Sequence, residues 1–241
     1  MLRPLRTPLL LLAAAALALP LAAAGTHPFS IHDMLGMDRI SDPQVSPDGS
    51  QVAFVVRTTD LAANRGRTDL WLLDVKTKAV RRLTTNEASD TSPRWAADGK
   101  GLYFLSSRGG SQQVWRLPLA GGEPEKVTSE PLDVDNLEVA PGGKLLVLSM
   151  EVFPGKSPAE TKKALEEKET VKSTGMLYDR LFVRHWDTWK DGRRNHVFAL
   201  PLGADGKAAA AAKDLMPAMD ADAPPKPFGG LDDAAVSPDG K

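Results

Sequence analysis

VSPDGSQVAFV (Val45–Val55) joins a turn to a strand, and VSPDGK (Val236–Lys241) repeats its opening at the far end of the chain. In Ser46-Pro47-Asp48-Gly49 proline presets φ for the second turn position, Asp suits the third, and Gly takes the left-handed exit. Weaker copies stand at Ala96–Gly99 (AADG) and Ala140–Gly143 (APGG), and a full one at Ser237–Gly240. Directly after each of the first three comes a short run apolar on both faces: QVAFVV (51–56), GLYFLS (101–106) and KLLVLS (144–149). Such runs suit strands buried between layers.

A second strand comes next in each unit, DLWLLD (69–74), QVWRLP (113–118) and HVFALP (196–201), with Trp71, Trp115 and Phe198 in the same place. A third segment ends in RLT (82–84), KVT (126–128) or DLM (214–216), and the step from Trp71 to Leu83 equals that from Trp115 to Val127, 12 residues. With a strand leading into each turn, such as Ile40–Val45, every unit supplies four strands. Four-stranded units of ~45 residues read as blades of a β-propeller; a β-sandwich is the structural alternative.

The expected fold class is therefore all-β, a partial β-propeller with WD40-like SPDG repeats, about three blades plus the start of a fourth. Blade 1 covers about 40–88, blade 2 about 89–130, and blade 3 about 131–220 with an insertion at 152–176; a stub of blade 4 covers about 231–241. The turn-to-turn steps are 50, 44 and 97 residues, and the last is one enlarged blade because it holds a single aromatic strand. In the insertion, Ser157 with Glu160 forms a capping box, and Pro158 takes the first helical position. Lys162–Glu166 and Lys163–Glu167 support the same short exposed helix. Residues 203–230 read mostly as connecting loop. Three blades and a stub close no ring: leaving ~400 Å² of apolar blade face exposed forfeits ~10 kcal/mol, about the whole stability of a domain. The expectation is a fragment of a longer protein.

The N-terminus carries a different message. Arg3 and Arg6, an apolar run from Leu9 to Leu19 and then Ala22-Ala23-Ala24 make the three-part pattern of a signal peptide (1–24) cut near Ala24. Pro20 interrupts the run short of the ~20 apolar residues of a span. A periplasmic or secreted protein without a stable membrane anchor is expected, followed by a leader segment (25–39) and the incomplete propeller (40–241). The sequence has no cysteine, which excludes disulfides, thiolate metal sites and a cysteine nucleophile. A net charge of −1 and one dense basic spot, Arg193-Arg194, exclude a nucleic-acid stripe.

PFSIHDMLGMDRISDPQVSPDGSQVAFVVRTTD (28–60), WAADGKGLYFLSSRGGSQQVWRLPLAGGEPEKVT (95–128) and YDRLFVRHWDTWKDGRRNHVFALPL (178–202), behind a signal peptide, carry a resemblance. In that order they resemble the N-terminal propeller of exported prolyl oligopeptidase family serine peptidases, acylaminoacyl-peptidase and dipeptidyl-peptidase-like. The resemblance implies a propeller that restricts oligopeptide substrates at a site supplied by a C-terminal α/β-hydrolase domain with a Ser-Asp-His triad. No G-x-S-x-G occurs in this sequence, so no catalytic residue maps onto it, and whether the chain by itself is an enzyme stays open. The alternative is a non-catalytic periplasmic binding propeller of the Tol-system type. A lactonase-like propeller is disfavoured, because no His/Asp/Glu constellation for a channel metal is present.

One cluster has functional character: Arg184, His185, Trp186 and Trp189 with Arg193 and Arg194. Trp and Arg are the residue types that anchor interfaces, so the segment is expected to line the chamber or meet the hydrolase domain, as a hairpin turning at Asp191-Gly192. The competing reading is blade-edge packing with a solvated loop. The four histidines, His27, His32, His185 and His196, lack zinc-ligand spacing, and a cross-strand pair of the last two is the remaining alternative to structural imidazoles. Asp133 and Asp135 fail as a calcium loop at Leu137. No cofactor or metal is expected.

Overall fold

The computed structural model describes residues 27–240 apart from Arg180, Phe182, Pro227, Phe228, Leu231 and Asp232, so the expected signal peptide lies outside the described residues. The chain forms two compact units, divided after Met37. The first holds helix α1 (Ile31–Gly36), capped by Ser30 in a reciprocal box with Asp33. No helix was expected in this leader, although Ser30-x-x-Asp33 is the cap signature.

The second unit is built of antiparallel sheets. β1 (Arg39–Val45), β2 (Gln51–Asp60), β3 (Arg65–Asp74) and β4 (Val80–Arg82) form blade 1 in that order. β5 (Asp90–Trp95), β6 (Gly101–Ser106), β7 (Gln113–Pro118) and β8 (Glu125–Lys126) form blade 2. Blade 3 begins with β9 (Asn136–Val139) and β10 (Leu145–Val152). The chain then leaves the sheet for helix α2 (Pro158–Glu169) and a separate two-stranded ribbon, β11 (Arg184–His185) and β12 (Thr188–Trp189). It returns as β13 (Arg194–Pro201) and β14 (Lys213–Asp214), giving the order β9-β10-β13-β14. The excursion between β10 and β13 thus runs on past the 152–176 expected, because among the described residues β11 and β12 pair with each other and not with blade 3.

The turn repeat is geometrically uniform. Gly49, Gly99, Gly143 and Gly240 all have left-handed φ, between 67° and 73°. Each donates its N–H to the carbonyl three residues back, of Ser46, Ala96, Ala140 and Ser237, at 2.8–2.9 Å. The turns also meet one another: a Cβ on Gly143 would stand 2.6 Å from Ala97 Cβ, and one on Gly240 2.7 Å from the Pro141 carbonyl oxygen. Trp71, Trp115 and Phe198 stand opposite Phe54, Phe104 and Leu148, the equivalent register in all three blades.

The two-sided apolar runs follow from layering. All six residues of β6 are buried. Leu102 joins Ala53, Leu72 and Trp95, and Phe104 joins Val55, Leu70 and Leu117, on the side facing blade 1. Tyr103 and Leu105 point the other way, into the larger cluster with Leu137, Leu148, Met150 and Phe198 of blade 3. Each such Leu or Phe contributes about 1.5–3 kcal/mol through burial. β2 and β3 run further than expected, to the pair Asp60↔Arg65, because the tip is polar and carries no hydrophobic pattern. Helix α2 has the expected capping box, and its buried Thr161 accepts from the Phe153 N–H at 3.2 Å, docking the helix beside β10.

Candidate functional site

The segment singled out by its tryptophans folds as a tight ribbon that turns at Trp186-Asp187, with Arg184 opposite Trp189 and His185 opposite Thr188. The turn expected at Asp191-Gly192 is not where the chain reverses. β13 pairs instead with β10, placing His196 opposite Met150, so His185 and His196 are not cross-strand partners. Two-residue strands leave no alternation to read, and Trp186 takes the left-handed turn conformation, φ 49°, that turn chemistry ordinarily assigns to glycine.

Stacking holds the ribbon. The Arg184 guanidinium lies 5.1 Å from the Trp189 ring centre, and Tyr178 stacks on the same indole at 6.0 Å. The His185 and Trp186 rings are near-parallel, 5.7 Å apart. Trp186 remains 75% exposed and Trp189 54%.

Between this ribbon, the end of β10 at Glu151 and the segment carrying Asp222 and Lys226 lies a cleft of about 680 Å³, to which His185, Trp186, Trp189 and Arg193 all contribute. Arg194 and Arg184 are not among the lining residues. Arg194 is engaged instead with Asp220 at 2.7 Å. The far wall is a charge network: Arg193 contacts Asp191 at 2.7 Å and Glu151 at 3.2 Å, Lys226 pairs with Glu151, and Lys190 lies 3.9 Å from Asp222. Burial holds the Lys226 ammonium below its ordinary pKa, with the Asp135 charge acting in the opposite direction. Burial likewise raises the Asp135 carboxyl, although Lys226 pulls it down.

Two further polar arrangements were not expected from the sequence. Arg94 on β5 reaches Asp42 on β1 and Glu138 on β9, each at 2.9 Å, tying the first strands of three blades through one guanidinium. Gln44, Arg94 and Glu138 each stand two residues before a turn, so superposing the repeats would have exposed this row. The second is a buried polar slot two residues before each aromatic. Asp69 accepts from Arg82 at 2.6 Å, Gln113 accepts from the Thr128 hydroxyl at 2.7 Å, and His196 Nδ1 meets Asp214 at 2.9 Å. In every blade this slot tethers the short last strand or, in blade 2, a residue two positions beyond it. These groups bind protein to protein and are structural.

A family model described as the TolB beta propeller domain matches residues 32–176. Among curated proteins, dipeptidyl-peptidase 5 of Porphyromonas endodontalis is 31% identical over 248 residues, covering 98% of this chain and 35% of that protein. Dipeptidyl-peptidase 5 of Porphyromonas gingivalis is 27% identical over 205 residues, covering 85% of this chain and 29% of its own length. The chain thus spans about a third of these relatives. In fold it is similar to the acylaminoacyl peptidase of Pyrococcus horikoshii, with a TM-score of 0.54 at 14% identity over 74% of this chain and 26% of that one. The resemblance to peptidase propellers carried by the sequence is met: this chain belongs to the TolB beta propeller domain family and is homologous to the propeller part of such peptidases.

Proposed function

We propose that the chain is the substrate-gating propeller portion of an exported serine peptidase that hydrolyses peptide bonds in oligopeptides. The observation that carries this reading is the match of 98% of the chain to 35% of a dipeptidyl-peptidase. A protein of that length has room for a catalytic domain of about 250 residues beside the propeller. With no G-x-S-x-G in these residues, the nucleophile, base and oxyanion donors come from that domain. The propeller's part is physical: rigid blades around a passage admit extended peptides and exclude folded proteins. The ribbon with Arg184, His185, Trp186 and Trp189, and Arg193 and Arg194 beside it, stands at the chamber or at the contact with the catalytic domain. The signal-peptide pattern of residues 1–24 supports delivery to the periplasm or outside the cell.

The test is to recover the native polypeptide from a periplasmic extract with an antibody against residues 25–241 and assay it on dipeptidyl p-nitroanilides and on folded casein-sized proteins. Expected are a mass several hundred residues above 25.9 kDa, hydrolysis of the small substrates blocked by a serine-directed inhibitor, and no action on folded proteins. A native species near 25.9 kDa without hydrolysis would replace this reading with the Tol-type binding propeller.

A further inference from the structure

The cleft beside the tryptophan ribbon has an unequal charge balance. Its lining holds four carboxylates, Glu151, Asp187, Asp191 and Asp222, against three bases, Lys190, Arg193 and Lys226. Each base is matched within the wall, Lys190 with Asp222, Arg193 with Asp191 and Glu151, and Lys226 with Glu151. The carboxylate left over is Asp187, which accepts from the neighbouring Thr188 hydroxyl at a long 3.4 Å. It sits at the ribbon's turn, next in the chain to Trp186, which lines the same cleft and is 75% exposed. A carboxylate beside an exposed indole is the pairing that attracts an ammonium or guanidinium group, through Coulomb attraction and the ring quadrupole together. The ribbon already shows this chemistry within the chain, where Arg184 lies over Trp189 at 5.1 Å.

The backbone supports the same reading. Trp186 holds φ 49°, a conformation costly for a bulky residue and ordinarily given to Gly or Asn. The indole kept there lines the cleft and stays out of the core.

We infer that this cleft binds the cationic side chain, lysine or arginine, of a peptide, with Asp187 and Trp186 as its two contacts. The inference deepens the peptidase reading by naming a substrate feature and rests on it for the peptide context. The volume of about 680 Å³ accommodates such a side chain with its flanking main chain.

The test uses the full chain and two blocked peptides, acetyl-Gly-Lys-Gly-amide and its norleucine isostere, titrated by ligand-observed NMR. Blocking the amine removes an N-terminal ammonium as the source of charge. The lysine peptide is expected to bind, and the norleucine peptide to bind about three- to tenfold more weakly, the range of an exposed cation–π and charge contact. Asp187→Asn keeps the turn's hydrogen-bonding capacity, and Trp186→Leu keeps an apolar side chain without a π face; each should cut lysine-peptide affinity by a similar factor. Equal binding of the two peptides overturns the cation assignment while leaving peptide binding standing. Unchanged affinity in both variants moves the site elsewhere and overturns the proposal. Binding of neither peptide also overturns it, whereas the peptidase reading stands or falls separately on native mass and hydrolysis.

Discussion

Arg94 on β5 and Glu138 on β9 hold the same place in successive blades, two residues before the turn, and meet at 2.9 Å. The same guanidinium reaches back 2.9 Å to Asp42 on β1. Both inner strands that precede β9 are bulged here, with Asp42 and Ser92 in left-handed conformation ahead of Pro43 and Pro93. The bulges bring three strands within reach of one side chain that is only 17% exposed.

Arg94→Met should therefore destabilise the fold by about 1–3 kcal/mol, less than a fully buried pair because both carboxylates keep some solvent. Arg94→Lys, a point charge without the fork, cannot serve both partners and should recover part of the loss. Urea denaturation measures both; a midpoint unchanged in Arg94→Met would mean the bridge contributes nothing.

Two glycines of the turn repeat separate conformational cost from contact. Gly49→Ala meets open space and bears only the left-handed penalty, about 1 kcal/mol. Gly143→Ala bears the same penalty and places its Cβ 2.6 Å from Ala97 Cβ. Its total should reach about 2–4 kcal/mol once overpacking is added. Equal melting temperatures for the two variants would dismiss the turn-to-turn contact.

Gln113 is wholly buried and serves five partners: it accepts from Thr128 Oγ1 and the Glu130 N–H, and donates to the carbonyls of Glu130 and Leu132 and to Ser111 Oγ. Gln113→Leu strands these groups without a replacement partner, and a loss of about 2–4 kcal/mol is expected. Hydrogen exchange at Glu130 should accelerate first, since its amide loses its acceptor.

The Asp48 carboxylate accepts from Ser46 and Ser50, which lowers its pKa from 3.8 to about 2. A lowered carboxylate pKa contributes stability above the unfolded value, and that contribution disappears as pH falls from 3.8 through about 2. Carboxyl carbon NMR should place its midpoint near 2, and Ser46→Ala should raise it. Asp69 works in the opposite sense. Burial raises its pKa despite the Arg82 hydrogen bond, so its contribution is present at low pH and is lost as pH rises through the folded value. A Ser46→Ala protein that leaves the Asp48 midpoint in place would remove the hydrogen bond as the cause.

Turn chemistry and burial on both faces are local properties, written within a few residues of each other, so the blades were legible in the chain itself. Each turn glycine, two-sided apolar strand and second-strand aromatic recurs in the same order in all three blades, although the third blade is enlarged. The capping box of α2 is equally local. The candidate site was legible only as a concentration of Trp and Arg. That His185, Trp186, Trp189 and Arg193 share a cleft, while Arg194 turns to Asp220, depends on a ribbon reversing at Trp186-Asp187, where no glycine or alternation announces a turn. The Arg94 bridge was hidden for a related reason: its partners lie 52 and 44 residues away in sequence. Sequence by itself determined the apolar strands that follow the repeated turns, because that preference is set by neighbours along the chain. Tertiary structure alone decided which charges meet, because ion pairing depends on distance across blades, and that distance exists only once the sheets have packed.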